Sequence, residues 1–157
     1  MQHLYLPKDI SGAIATDLAA QVRAMPPDQL TVHVDTNAGT DSCYDLAEAL
    51  WHCGALWHCG LGTTAFVGAE AKAEGLIVAV SCGRVICKWD SRFRFQDCQG
   101  QEEAIHKQAK WFAIHAPVLF EGTWYELMAA SEPYEFAAAR AYCWGIVHEI
   151  QPRERGY

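Results

Sequence analysis

The sequence predicts an α/β fold: a mostly parallel, twisted sheet with ββα crossover units and helices on both faces. Three observations predict it. First, Thr31 to Gly75 reads as strand, tight turn, helix, strand, Gly-rich turn and helix. Two strands joined through a helix over that length pair in parallel, with a right-handed crossover. Second, LIVAV at 76–80 is continuously apolar, as a strand buried on both faces is. Third, apolar residues at three- and four-residue spacing recur between the strand candidates. Ligands bind beyond the carboxyl ends of strands in such sheets. Chemistry is therefore expected at NAGT, 37–40, and GLGTT, 60–64.

Leu4 to Leu6 is a short strand closed by Pro7. Ser11 caps a helix to about Ala24, with Ile14, Leu18 and Val22 on one face beside Ala15 and Ala19. Met25-Pro26-Pro27 stops it, because proline cannot continue the hydrogen-bond ladder. In TVHVDT, Val32 and Val34 alternate with Thr31, His33 and Asp35, and Asn37-Ala38-Gly39 turns the chain. A helix starts at Asp41 or Ser42, with Asp45 at capping-box spacing from Ser42. Cys43, Leu46, Ala47, Leu50 and Gly54 form its buried stripe, and Asp45, Glu48 and His52 its wet face.

The hexapeptide ALWHCG occurs twice in tandem, at 49–54 and 55–60. The first copy reads as a helix end and the second as a strand, Leu56 to Cys59, tertiary context deciding between them. A helix then runs to Gly75, followed by the strand LIVAV, a turn at Ser81-Cys82-Gly83 and the strand RVICKW. Residues 91–100 read as an exposed hairpin or loop. Gln101 to Ala130 is mostly helical, kinked or split at Pro117 and Gly122. Glu135 to Trp144 is a short helix stopped by Gly145, Ile146 to Ile150 is the last strand, and 151–157 is a frayed tail. No linker interrupts the chain, which reads as one domain, 1–157.

A net charge of −7 argues against nucleic acid and anionic membrane surfaces as partners. No apolar run approaches the roughly 18 residues of a membrane span. MQHLYLPKD lacks a basic segment followed by an apolar one, so a cytoplasmic location is expected. Seven cysteines without a C-x-x-C pair read as buried thiols rather than a disulfide framework. His52-Cys53 and His58-Cys59 carry zinc-type donors, but neighbours on a strand point to opposite faces, so no metal site is assigned. Cys82 reads as a turn residue and His33 as a core side chain. No cofactor is implied.

Several segments together resemble the proteolytic subunit of the Clp protease, within the wider Clp-protease/crotonase superfamily. They are DISGAIATDLAAQV, VHVDTNAGTDSCYDLAEAL, GTTAFVGAEAKAEG, GRVICKW, GQEEAIHKQA, YELMAA and AARAYCWGIVHEI. Order and spacing carry the resemblance, over nearly the whole chain. It implies a serine peptidase, in which a Ser at the end of a G-x-A-A-S turn attacks the carbonyl. A His takes its proton, an Asp orients the His, and backbone N–H groups form the oxyanion hole.

Carried onto this chain, Gly62 on the family glycine places Phe66 in the nucleophile slot, with Gly68 and Gly75 in register. A shift of two offers Thr64 instead. RVICKW places Lys88 where the base stands. Asn37-Ala38-Gly39-Thr40 replaces Ser-Pro-Gly-Gly, so the oxyanion donors fall on Gly39, Thr40 and Val67, and β-branched Thr40 disfavours a positive φ. Glu132 and Glu135 are available for the third position.

Losing the nucleophile or the base alone forfeits on the order of 10⁶ in rate in a serine protease. The first reading is therefore a subunit without peptidase activity that binds partners or peptides. The alternatives are a hydrolase using Thr64 with Lys88 and, further off, a crotonase-like acyl-thioester enzyme. Phe66 is expected to be buried at a helix start. Residues 101–130, with Trp111 and Phe112 near the contact, are expected to form a homo-oligomer, and a peptide or an unfoldase is a further possible partner.

Overall fold

The computed structural model describes residues 2–26, 29–55, 62–98, 100–130 and 135–154. It is an α/β structure with a mostly parallel sheet. In chain order the elements are β1 (Gln2–Tyr5), β2 (Asp9–Ile10), α1 (Ala13–Ala24), β3 (Leu30–Thr36), β4 (Ala38–Gly39), α2 (Cys43–Ala55), β5 (Thr63–Lys72) and α3 (Glu74–Val80). There follow β6 (Arg84–Lys88), β7 (Arg92–Arg94), α4 (Glu102–His115), α5 (Glu121–Met128), β8 (Glu135–Ala137), α6 (Ala138–Cys143) and β9 (Glu149–Gln151). The main sheet runs β1-β3-β5-β6-β9, every neighbouring pair parallel.

That order explains the layering. Each crossover, β1-α1-β3, β3-α2-β5 and β5-α3-β6, steps one strand in the same direction. Right-handed crossovers that all step one way put all their helices on one face. Along β3 the burial alternates strictly, with Val32 and Val34 in the core and Thr31, His33 and Asp35 partly exposed. The same open face carries His3 and Tyr5 of β1, Thr64 and Phe66 of β5, and Ile86 of β6.

The largest departure from the sequence reading lies in residues 63–80. TTAFVGAEAK is a ten-residue strand, not a turn and a helix. Its second half, AEAK, favours helix by composition, but Glu70, Ala71 and Lys72 pair in parallel with Arg92, Phe93 and Arg94. Phe66 is consequently mid-strand and partly exposed, not buried at a helix start. Conversely LIVAV belongs to helix α3, every residue of which is buried. A fully buried segment has no wet face, so its periodicity cannot separate helix from strand. Topology decides: β5 and β6 are parallel neighbours, and something must carry the chain back between them.

Residues 91–100 are not an exposed loop. β7 pairs with β5 and, antiparallel, with β8. Phe93 and Phe95 are buried, and Phe95 lies 5.7 Å from the ring of Phe112, 6.2 Å from Trp124 and 5.1 Å from Phe136. Glu135 to Ala137 is strand before the expected short helix, and Gly145 follows that helix at φ 75°. The break in 101–130 falls at Pro117, whereas Gly122 lies inside α5.

α1 opens at Gly12 rather than on a Ser11 side-chain cap, and Ile14 is exposed while Ala15, Leu18, Ala19 and Val22 are buried. Asp45 does not close a capping box, because its carboxylate takes the Arg23 guanidinium at 2.6 Å. The proposed strand Leu56 to Cys59, with His58, and the candidate Glu132 lie outside the described residues.

Candidate functional site

The backbone itself marks the place to examine. Ala73, between β5 and α3, has φ 53° and ψ −125°, and is the one non-glycine with positive φ among the described residues. Such conformations cost about 1–3 kcal/mol and persist only where surrounding structure imposes them. Here β7 imposes it: the Ala73 N–H donates to the Arg94 carbonyl at 2.9 Å, while two residues on α3 is pressed against β3. A Cβ on Gly75 would meet the Thr36 carbonyl oxygen at 2.8 Å, so only glycine fits there.

The NAGT turn reaches the same corner. Gly39, paired with Ile10, lies so close to Glu74 that a Cβ would stand 2.7 Å from the Glu74 Cβ. Glu74 is only 7% exposed. Burial raises its carboxyl pKa, its own backbone N–H and Gln96 oppose that, and Asp41 and Asp9 add to the rise. Gln96 Nε2 donates to Glu74 Oε1 at 2.9 Å and to Asp41 Oδ1 at 3.3 Å. The Gln96 backbone is clamped in turn by buried Gln108, whose Oε1 accepts the Gln96 N–H at 3.0 Å. Two cavities flank Gln96. One of about 470 Å³ is lined by Asp41, Tyr44, Gln96, Gln101, Glu102 and Lys107 among others. The other, about 260 Å³, is lined mainly by Phe95, Cys98, Ile105, Leu127 and Met128.

Among the described residues the corner has an acid and amide donors but no nucleophile hydrogen-bonded to a base; the Thr40 hydroxyl pairs with that of Ser42 at 2.7 Å. Ala73 offers a methyl group. Burial, then Glu74 and Asp41, push the Cys43 thiol far above its ordinary range. Burial holds Cys98 up to about 11 and Cys82 up to about 12, so neither is a thiolate at neutral pH. None of the hydrogen bonds at this corner among the described residues involves an imidazole.

The residues singled out from sequence divide between two places. Gly39 and Thr40 are at the corner. Thr64, Phe66, Val67 and Lys88 are not. Thr64 stands opposite Arg84, four residues before Lys88, which is about 13 Å along a strand. That spacing removes the Thr64–Lys88 pair. Val67 is fully buried and paired with Val34 and Cys87. Lys88 and Phe66 share a shallow groove with Tyr5, His33, Asp35 and Gly68 on the open face. Sequence reading missed Ala73, Glu74 and Gln96. The signal for the first two was the EG pair at 74–75 opening LIVAV, visible only once 63–72 is read as strand. Compared with known proteins, the chain matches no family model and no curated sequence.

Proposed function

We propose that this chain is a Clp-protease-like subunit without serine peptidase activity, acting as a binding or assembly subunit. The observation that carries the reading is Ala73. A strained strand-to-helix turn is the geometry that presents a nucleophilic Ser in hydrolases. This reading moves the nucleophile slot from Phe66 to Ala73, whose neighbour Glu74 packs against Gly39. The strand alongside is β7, and the residue after it, Phe95, is packed among aromatics and offers no base.

Labelling with a fluorophosphonate probe followed by intact mass tests this. No adduct is expected, and a single stoichiometric adduct overturns the reading. Ala73→Ser restores a hydroxyl but no base, so it is expected to remain without peptidase activity; measurable cleavage of a peptide substrate by this variant would contradict the assignment.

The binding role draws on the two cavities beside Gln96, which suit a peptide, and on the exposed apolar tip of the α4–α5 hairpin. Phe112 and Trp124 are spent in the core, so Phe112 is not a contact residue. Ile114, Val118 and Phe120 remain 55%, 61% and 87% exposed, and self-association through 101–130 narrows to them. Phe120→Ser is expected to leave stability within about 0.5 kcal/mol and to lower the mass seen by light scattering. A wild-type mass near the 17.4 kDa of one chain at all concentrations refutes self-association.

The acyl-thioester alternative gains Glu74 as an acid beside Gly39. Its cavity, however, is lined by Asp41, Glu102 and Glu103 rather than by an apolar channel. Turnover of an acyl thioester lost in Glu74→Gln would favour it.

A further inference from the structure

We infer that His3 and His33 form a two-imidazole site for a divalent transition-metal ion on the open face of the sheet. The two residues come from neighbouring parallel strands. His3 is opposite Thr31 and His33 opposite Tyr5, so the imidazoles meet on the diagonal. Nδ1 of His3 and Nε2 of His33 are hydrogen-bonded at 2.9 Å, one ring donating and the other accepting, so a metal ion takes the place of that shared proton. Two nitrogens at that separation, each about 2.05 Å from a metal, subtend about 90° at it. That angle suits tetragonal Cu²⁺ or Ni²⁺. Tetrahedral Zn²⁺ needs the nitrogens about 3.3 Å apart, a small rotation of an exposed ring.

The protons allow it. On binding, the donor ring of that hydrogen bond shifts its proton to its far nitrogen through solvent, giving Nε2–H for His3 and Nδ1–H for His33 and freeing both near lone pairs for the metal. Tyr5 stacks on His33 at 4.3 Å and 7°, holding the ring plane as the packing around metal-binding imidazoles does. Asp35, on the same face, is paired with Lys8 at 3.0 Å. The site therefore has two protein ligands, with solvent or a small anion completing it.

The test is calorimetric titration of the full chain, its thiols kept reduced, with NiCl₂ and ZnCl₂. Wild type is expected to bind one ion per chain. His3→Gln and His33→Gln should each lower affinity by at least about tenfold, because the second donor no longer acts at high effective concentration. His106→Gln, at a side chain that lies against Glu102 and Tyr125, should bind as wild type does. Absence of binding to wild type overturns the inference, as does undiminished affinity in His33→Gln. Both glutamine variants replace exposed or half-exposed side chains, and circular dichroism verifies that they fold. In the Cu²⁺ form, electron paramagnetic resonance is expected to show coupling to two imidazole nitrogens, and a sulfur-ligated spectrum would also overturn it.

Discussion

Replacing Gly75 by alanine sets two effects against each other, and the structure says which prevails. Alanine is favoured over glycine in a helix by about 1 kcal/mol, less in a first turn. Gly75 is the second residue of α3. Its added Cβ, however, lands 2.8 Å from both the Cβ and the carbonyl oxygen of Thr36 and 3.0 Å from Cγ2. An ordinary contact begins near 3.4 Å, so α3 and β3 must separate by 3.4 − 2.8 = 0.6 Å. Neither gives easily. Thr36 is fully buried, and its hydroxyl donates to the Pro7 carbonyl at 2.9 Å. Overpacking of this kind costs about 1–3 kcal/mol, rigid backbone lying at the upper end. The net expectation is a loss of about 1–2 kcal/mol, or a Tm lower by about 2–8 °C for a chain of this length. Gly122→Ala is the matched control. It lies in α5 with nothing within 4 Å of the new methyl group, so it should stabilise by up to about 1 kcal/mol. Urea and thermal unfolding followed by circular dichroism measure both. A Gly75→Ala protein stabilised as much as Gly122→Ala would refute the close packing of α3 on β3, and with it the geometry of the Ala73 corner.

Trp124→Ala removes a fully buried ring from the cluster of Phe95, Phe112 and Trp144. It is expected to cost about 3–5 kcal/mol in urea unfolding, and a loss below about 1 kcal/mol would show that the α4–α5 hairpin is not packed as described. His115 lies 4.6 Å from the ring of Trp51 and 4.3 Å from Trp111, and burial lowers its pKa from 6.5 to about 4. Between those values the unfolded chain binds the extra proton, so stability falls as pH falls from about 6.5 to about 4. His115→Gln should flatten that part of the pH profile, by up to about 3 kcal/mol; an unchanged profile would place the ring in water.

Much of the fold was legible in the sequence wherever an element has one wet face. The alternation of Thr31, His33 and Asp35 with Val32 and Val34 announces β3, and Cys43, Leu46, Ala47 and Leu50 announce α2. A half-buried element writes its own period, so local residues suffice. Pro117 likewise ends α4's turn of chain through its missing N–H.

Tertiary structure alone decided residues 63–80. AEAK is helix-favouring yet extended, because its N–H and C=O groups find a partner in β7, 22 residues further along the chain, which no local composition or period announces. LIVAV is β-branched and apolar yet helical, because it is buried all round and lies between two strands that must run parallel. The boundary between those two segments is Ala73, held at positive φ by β7 on one side and Thr36 on the other. Nothing in an alanine's chemistry signals that conformation. It arises where two long-range constraints meet, and the candidate site, with Glu74, Gly39 and Gln96 drawn from three separate segments, is assembled at the same point.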